Sequence, residues 1–311
     1  MLVPAPGLAQ QAPLPVIGFL GGMAPAPQVV SAFLEGLAQA GFSEGRNVTI
    51  HYRWAHSQVD RLPALVAELL QYRPAVIVTV GGVHPTRAAM AATTTVPIDF
   101  EVGADPVSTG LVASLGRPGG NATGVNLMTA DLNAKRVELL HQMVPRAATI
   151  AALINPDAVA APVIEAEVRA AAAAQGVKPW ALFARSEQQI DAAFATIADR
   201  RITALVVTND PFLNSRRAQL VALVTRDKLP AIFEWREFAL AGGLMSYGSD
   251  LSLALREWGV YAGRVLRGAK PADLPVLQPR RFELVINGKT TKALGLAIPQ
   301  TLLLRADEVI E

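Results

Sequence analysis

The sequence contains no cysteine, and charged residues make up only 17% of its 311 positions. Without cysteine the chain can form no disulfide, no thiolate metal site and no thiol nucleophile. No uninterrupted apolar run reaches the roughly 18 residues that a membrane-spanning helix needs, so we expect no stable membrane insertion. Hydrophobic residues account for 51% of the chain, which indicates globular domains rather than a disordered polypeptide.

Several motifs of enzymes and cofactor sites are also missing. H-E-x-x-H does not occur, and the glycines at 18, 21 and 22 have the wrong spacing for dinucleotide binding. Gly288-Lys289-Thr290 resembles the end of a phosphate-binding P-loop, but Glu283 stands where that motif needs a glycine. The four histidines show no metal-ligand spacing. We therefore predict that the chain is not an enzyme and has no catalytic residue, no metal and no cofactor.

Positive and negative charges are nearly balanced, with 28 Lys and Arg against 26 Asp and Glu. The basic residues are scattered along the chain, whereas a nucleic-acid-binding protein concentrates them on one face. We therefore expect no nucleic-acid partner, and we expect the chain to be a monomer.

The first 14 residues are small, apolar and rich in proline. Gly7-Leu8-Ala9 resembles the small-residue end of a signal peptide, although the basic region and long apolar stretch of a complete signal are not present. We interpret residues 1–14 as a residual signal and tail, and we expect the protein to be exported to the periplasm. The alternative is an ordinary N-terminal tail.

Apolar strand-like runs alternate with amphipathic helix-like runs along most of the chain. The first half contains four strand candidates, at residues 16–20, 48–53, 75–80 and 96–100. The pattern then restarts with four more, at residues 149–154, 178–183, 204–208 and 231–233. Starts about 30 residues apart are typical of βαβ units, whose strands form parallel sheets. We therefore predict an α/β protein with two doubly wound, Rossmann-like lobes.

Turn-forming residues indicate where the chain passes between these lobes. Residues 117–121 predict the first crossing, residues 242–247 a second and residues 270–279 a third. We predict that lobe 1 comprises residues 15–121 and 247–275, and that lobe 2 comprises residues 122–246 and 276–311.

In open parallel sheets, ligands bind beyond the carboxyl ends of the strands. Glycines, polar residues and aromatic residues follow the predicted strands in both halves. The candidate ligand-binding residues are Gly22, Met23, Gly82, Val83, His84, Thr86, Glu101, Asn126, Asn155, Asp210, Phe212 and Tyr247.

The loop after the third strand has the most distinctive chemistry of these. Gly81 and Gly82 let the backbone approach a ligand closely, and Pro85 predicts the first turn of a helix. The free N–H groups and the dipole of that turn suit a carboxylate. Thr86 could add a hydroxyl and His84 a donor. The alternative is an ordinary turn between a strand and a helix.

The other candidates also have two interpretations. Asp210 could hold an ammonium or hydroxyl group of a ligand, or it could cap the helix that follows. Glu101 and Glu234 are candidates of the same kind, or else solvated loop residues. Phe212 and Tyr247, like Phe100 and Trp235, could stack on an aromatic ligand or belong to the core.

Nine segments together resemble the tryptophan/tyrosine-type substrate-binding proteins of bacterial ABC importers, from about residue 15 to the C-terminus. They are VIGFL at 16–20, FLEGL at 33–37, DPV at 105–107 followed by GLV at 110–112, NATGV at 121–125, KRVELL at 135–140, GGLMSYG at 242–248, GAKPADLPV at 268–276, FELVIN at 282–287 and RADEVIE at 305–311. The late segments are the most specific.

The resemblance implies a type I periplasmic binding protein, with two lobes joined by three hinge strands. Its small-molecule ligand, an amino acid or an aromatic or branched carboxylic acid, would be held in the cleft and delivered to the permease of an ABC importer. In this family a hydroxyl-rich run after the third strand usually binds the ligand carboxylate, and His84 stands in that stretch here. An alternative is a periplasmic subunit that presents its ligand to a receptor kinase.

Overall fold

The first sheet has five strands, all parallel. In the computed structural model, which describes residues 13–128, 132–279 and 281–311, they lie in the order β2-β1-β3-β4-β5. Their bounds are β1 Val16–Gly21, β2 Thr49–Trp54, β3 Val76–Val80, β4 Ile98–Val102 and β5 Ala122–Asn126. Because the strands are parallel, their carboxyl ends all lie at one edge of the sheet.

The second sheet has seven strands in the order β12-β11-β10-β9-β8-β6-β7. Their bounds are β6 Thr149–Ile154, β7 Lys178–Phe183, β8 Ala204–Val207, β9 Ala231–Phe233, β10 Met245–Ser249, β11 Phe282–Asn287 and β12 Glu308–Ile310. Strands β6 to β10 run parallel, whereas β10 and β11 pair antiparallel. Most strands of this sheet are buried on both faces, which explains their continuous apolar sequences.

Helices cover both sheets. Their bounds are α1 Pro27–Gln39, α2 Leu62–Gln71, α3 Val83–Ala92, α4 Asn133–Met143, α5 Ala161–Ala174, α6 Glu187–Arg200, α7 Pro211–Ser215, α8 Arg217–Arg226, α9 Arg236–Leu240, α10 Leu251–Leu266, α11 Gly288–Ala293 and α12 Gln300–Leu303. Short 3-10 turns lie at Val59–Arg61 and Pro271–Asp273. No helix in the described part of the chain is long and apolar enough to cross a membrane.

Helix α10, which comes late in the sequence, packs against α1 of the first lobe. A Cβ at Gly36 of α1 would overlap the carbonyl oxygen of Arg256, and a Cβ at Gly259 of α10 would overlap that of Phe33. Glycine at both positions therefore lets the two helix backbones approach closely. Trp258 is fully buried beside Phe33, with ring centroids 4.6 Å apart. The C-terminal third of the chain thus completes the core of the first lobe.

The chain passes between the lobes later than residues 117–121, where the sequence predicts the first crossing. Strand β5 still pairs with β4, so the first sheet extends to Asn126. On the way back, the amide of Asn126 donates to the carbonyl of Leu277 at 2.8 Å, and the Leu277 amide donates to Gly124 at 2.9 Å. The predicted lobe limits otherwise stay a prediction, as does the signal remnant, which lies almost entirely outside the described residues.

Each of the eight strand candidates corresponds to an observed strand, and the prediction of two α/β lobes is confirmed, with sheets that are mainly parallel. The fourth strand begins two residues later than predicted, at Ile98. Gly288-Lys289-Thr290 opens α11, where the side chain of Asn287 accepts from the amide of Thr290 at 2.9 Å. This segment is a capped helix start, as the resemblance to the binding-protein family implies.

Candidate functional site

The edges at which the parallel strands of the two sheets end face each other and are in contact. His84, in the first turn of α3, has its Nε2 atom 3.3 Å from the carbonyl oxygen of Asp157 in the second lobe. A Cβ on Gly82 would lie 3.8 Å from Cγ of Pro211, at the start of α7. The two lobes are therefore closed on each other across the cleft in which the candidate residues lie.

Two glycine loops form the centre of the first edge. The amide of Gly22 donates to the carbonyl of Val80 at 2.9 Å, and a Cβ on Gly22 would lie only 2.7 Å from the Gly81 oxygen. Gly81 and Gly82 have φ angles of +87° and +103°, a region that favours glycine. Met23 continues the first loop, with Sδ 3.6 Å from Oγ of Ser57.

Helix α3 begins directly after these loops. Gly82 is its N-cap residue and supplies no side-chain hydrogen bond to the first turn. Val83 and Thr86 point into the first lobe, because Val83 is buried in the core and the Thr86 hydroxyl lies 2.9 Å from that of Thr79. Thr86 is fully buried, so its hydroxyl serves the lobe interior rather than the cleft. The groups of this first turn of α3 that remain available to a ligand are therefore its backbone and the His84 side chain.

Glu101 lies near the carboxyl end of β4 and is only 8% exposed. Burial raises the pKa of its carboxyl group to about 7, while the backbone amide of Gly81 donates to it and lowers the pKa in part. The alternative that Glu101 is a solvated loop residue is therefore wrong. Asp99, two residues earlier on the same face of the strand, is fully buried. Among the described residues its carboxylate oxygens have no hydrogen-bond partner, and burial raises its pKa well above the usual range.

Asn155 and Asp210 form a hydrogen-bonded pair at the facing edge of the second lobe. Nδ2 of Asn155 donates to Oδ1 of Asp210 at 3.0 Å. The same oxygen accepts from the amides of Phe212 and Leu213 at 2.8 and 3.1 Å, so Asp210 caps α7. Burial raises the pKa of Asp210, and these hydrogen bonds oppose that rise. Of the two interpretations of Asp210, the capping one describes the structure.

A buried ion pair that sequence reasoning missed lies behind this edge. Nη2 of Arg136 is 3.5 Å from Oε1 of Glu234, and both side chains are almost completely buried. Arg136 also donates from Nε to the Tyr247 carbonyl at 2.8 Å. Burial lowers the pKa of Arg136, and Glu234 opposes that shift. The helical spacing of Arg136 from Leu139 and Leu140, both buried, is the signal that could have placed it inside.

Asn126 and the aromatic candidates lie around the hinge. Oδ1 of Asn126 accepts from the amide of Met128 at 2.9 Å, so this side chain closes a turn where the chain leaves β5. Phe212 and Trp235 belong to the core. Tyr247 is half-buried on β10, with its ring 6.3 Å from that of Phe282. Of these aromatic residues, Tyr247 keeps the most exposed surface.

Enzyme chemistry has no assembled site in the described residues. The spacing G-x-S-x-G does occur once, at residues 41–45, but it joins the end of α1 to β2. A nucleophile elbow needs the opposite order, from a strand to a helix, so Ser43 is not in that context. No group of three or more His, Asp or Glu in the described part of the chain could hold a metal ion.

Comparisons with known proteins agree with this geometry. A family model described as "ABC transporter substrate binding protein" matches residues 17–310. The chain is also 24% identical, over 265 residues, to a "Tyrosine-binding protein" of Clostridioides difficile (strain R20291). That match covers 85% of this chain and 75% of the relative.

Two solved structures are similar over almost the whole chain. One is an ABC domain from Streptococcus pneumonia in complex with L-Trp, which is 25% identical, has a TM-score of 0.84 and overlaps 96% of this chain and 100% of that one. The other is a ligand-free, open substrate-binding protein from Clostridium difficile, which is 23% identical, has a TM-score of 0.68 and overlaps 96% and 99%. The lower score with the open structure agrees with the contact between the lobes seen here.

Proposed function

Because the chain belongs to the ABC transporter substrate-binding protein family, we propose that it is the extracytoplasmic binding protein of an importer. It is a ligand carrier, not an enzyme. In this proposal it works as a periplasmic monomer that captures a small organic molecule, an amino acid or an aromatic or branched carboxylic acid. It then presents the closed complex to the permease.

One observation carries the proposal: the parallel strands of the two sheets end at edges that face each other, and the loops on those edges touch. His84 contacts the second lobe, and Gly82 lies against Pro211. Ligands of doubly wound sheets bind at such edges, so a molecule placed there would contact both lobes at once. A ligand that binds the closed form better than the open form shifts the population toward closure.

The relatives support the class of ligand. A similar protein is called tyrosine-binding and a similar structure contains L-Trp, and both of these ligands are amino acids with an aromatic side chain. In this chain the uncapped first turn of α3 offers backbone N–H groups to a carboxylate. Met23 and Tyr247 offer half-buried apolar surface for the remainder of the ligand.

Isothermal titration calorimetry with the twenty amino acids, indole-3-acetate, phenylacetate and 4-methylpentanoate tests the proposal. We expect one or a few of them to bind with Kd on the order of micromolar or tighter. The variant Pro211→Trp fills the contact between the lobes and should abolish binding. Pro162→Trp alters an exposed proline in the first turn of α5 and should leave binding intact. Absence of binding by every compound would contradict the proposal.

A further inference from the structure

The first-lobe edge contains a buried carboxylate whose partner is a single backbone amide. Glu101 is 8% exposed, and the Gly81 N–H is the donor that lowers its pKa. Gly81 is the first residue after β3, where the backbone turns toward the second lobe. Glu101 therefore lies beyond the paired part of β3 and β4, near the end of β4 that is directed toward the second lobe.

Two buried acidic side chains of the second lobe already have a partner in the protein. Asp210 accepts from Asn155 and from two backbone amides, and Glu234 pairs with Arg136. Glu101 has no such set of partners, and a buried carboxylate is costly unless a cation or several donors face it. A ligand held between the closed lobes could supply that cation.

We propose that Glu101 makes the site selective for ligands with an ammonium group, so that the cargo is an α-amino acid rather than a simple carboxylic acid. This inference rests on the proposed function, because it assigns a part of the ligand to a residue of the same cleft. Glu101 would thus decide between α-amino acids and simple carboxylic acids, the two ligand classes that the fold and the relatives leave open.

The geometry suits a zwitterion. In an α-amino acid the ammonium and the carboxylate are attached to one carbon, so their binding groups must lie side by side. Glu101 is joined to Gly81 by a hydrogen bond, and the uncapped first turn of α3 begins two residues after Gly81. An acceptor for the ammonium and donors for the carboxylate thus meet at one loop.

Pairs of ligands that differ only in the amino group test the role of Glu101. We would titrate L-tryptophan against indole-3-propionate, L-tyrosine against 3-(4-hydroxyphenyl)propionate and L-leucine against 4-methylpentanoate. For the pair that binds, the wild type should prefer the amino acid by about 10- to 100-fold, the usual effect of one charge-assisted hydrogen bond. Glu101→Gln should reduce that preference at least about tenfold, and Glu101→Asp should retain part of it.

Asp99→Asn is the matched control, because Asp99 is a buried carboxylate on the same face of the same strand. This variant should keep the wild-type preference, and thermal melting verifies that all variants fold. Equal binding of both members of a pair by the wild type would overturn the inference and leave the proposed function standing. So would an unchanged preference in Glu101→Gln, or the same loss in Asp99→Asn. If the wild type binds neither member of any pair, the proposed function fails and the inference fails with it.

Discussion

Both edges of the cleft contain buried acidic side chains, but the partners of those side chains differ between the lobes. In the second lobe, Asp210 is held by Asn155 and by the start of α7, and Glu234 faces Arg136. In the first lobe, Glu101 receives one backbone amide and Asp99 has no hydrogen-bond partner among the described residues. The acidic side chains of the second edge thus have several donors or a counter-charge, whereas those of the first edge have one backbone donor between them in the described part of the chain.

This difference indicates a division of roles. The hydrogen bonds to Asp210 and the charge of Arg136 beside Glu234 are costly to lose, so we expect the second edge to be the more rigid surface on closure. An under-satisfied carboxylate weakens the empty protein but can gain a partner when a ligand arrives. The first edge therefore has the group that can discriminate between ligands, at some cost to stability without ligand.

The largest expected effect is on the second-lobe side. Arg136→Met removes the cation from a buried pair and leaves Glu234 buried without its counter-charge. We expect the free energy of unfolding to fall by about 3–5 kcal/mol, measured by urea denaturation. The double variant Arg136→Met with Glu234→Gln should recover much of this loss. A loss below about 1 kcal/mol in the single variant would show that the pair is not what makes this edge rigid.

An intermediate effect on the free energy of unfolding is expected for Glu101 in the first lobe, and this effect depends on pH. Burial raises the folded-state pKa of Glu101 from its ordinary 4.5 to about 7. The folded state favours the protonated form of Glu101. The contribution of this group to the free energy of unfolding is therefore fully present below pH 4.5 and is lost as the pH rises through 7. Glu101→Gln should therefore match the wild type near pH 4.5 and exceed it by about 2–3 kcal/mol at pH 8 in denaturation experiments.

Asp99→Asn should change stability in the same direction, because burial also raises the pKa of Asp99. Parallel pH profiles for the wild type and Glu101→Gln would contradict the idea that the first edge has an unsatisfied charge.

The smallest effect concerns the contact between the two edges. His84→Ala removes the ring that lies 3.3 Å from the Asp157 carbonyl. We expect it to weaken closure by less than about 1 kcal/mol, which is the scale of one net hydrogen bond. Because the chain has no cysteine, Gln58→Cys and Gln188→Cys allow specific labelling of exposed sites on the two lobes.

Energy transfer between these labels should show a larger open fraction in His84→Ala at every ligand concentration. The variant His51→Ala, on β2 and away from this contact, serves as the control. An open fraction identical to that of the wild type would remove His84 from the closing contact.

Apolar runs about 30 residues apart were sufficient to predict the two lobes, because parallel strands that are buried on both faces have continuously apolar sequences. Strand β5 was not predicted, since Ala122–Asn126 contains no long apolar run and is recognised only by its pairing with β4. The sequence also placed the candidate residues at the strand ends. It could not show which polar groups face the cleft, because that depends on packing between distant segments.

Thr86 and Glu101 illustrate this limit. The hydroxyl of Thr86 turns inward to Thr79, a contact that the order of residues does not reveal. Glu101 occupies a position that composition alone assigns to solvent, yet it is buried. Arg136 was overlooked because a basic residue near a helix start is usually exposed, although its spacing from Leu139 and Leu140 places it on the inner face.

The close packing of α1 against α10, which Gly36 and Gly259 permit, has a consequence for biosynthesis. A nascent chain that has emerged only as far as residue 128 contains all five strands of the first sheet but not α10, which covers one of its faces. Phe33 and Phe19 then lack Trp258, and their side of the sheet stays exposed. Neither lobe can therefore finish folding early, because the first waits for α10 and the second waits for β11 and β12. The polypeptide stays incompletely folded until most of it has left the ribosome.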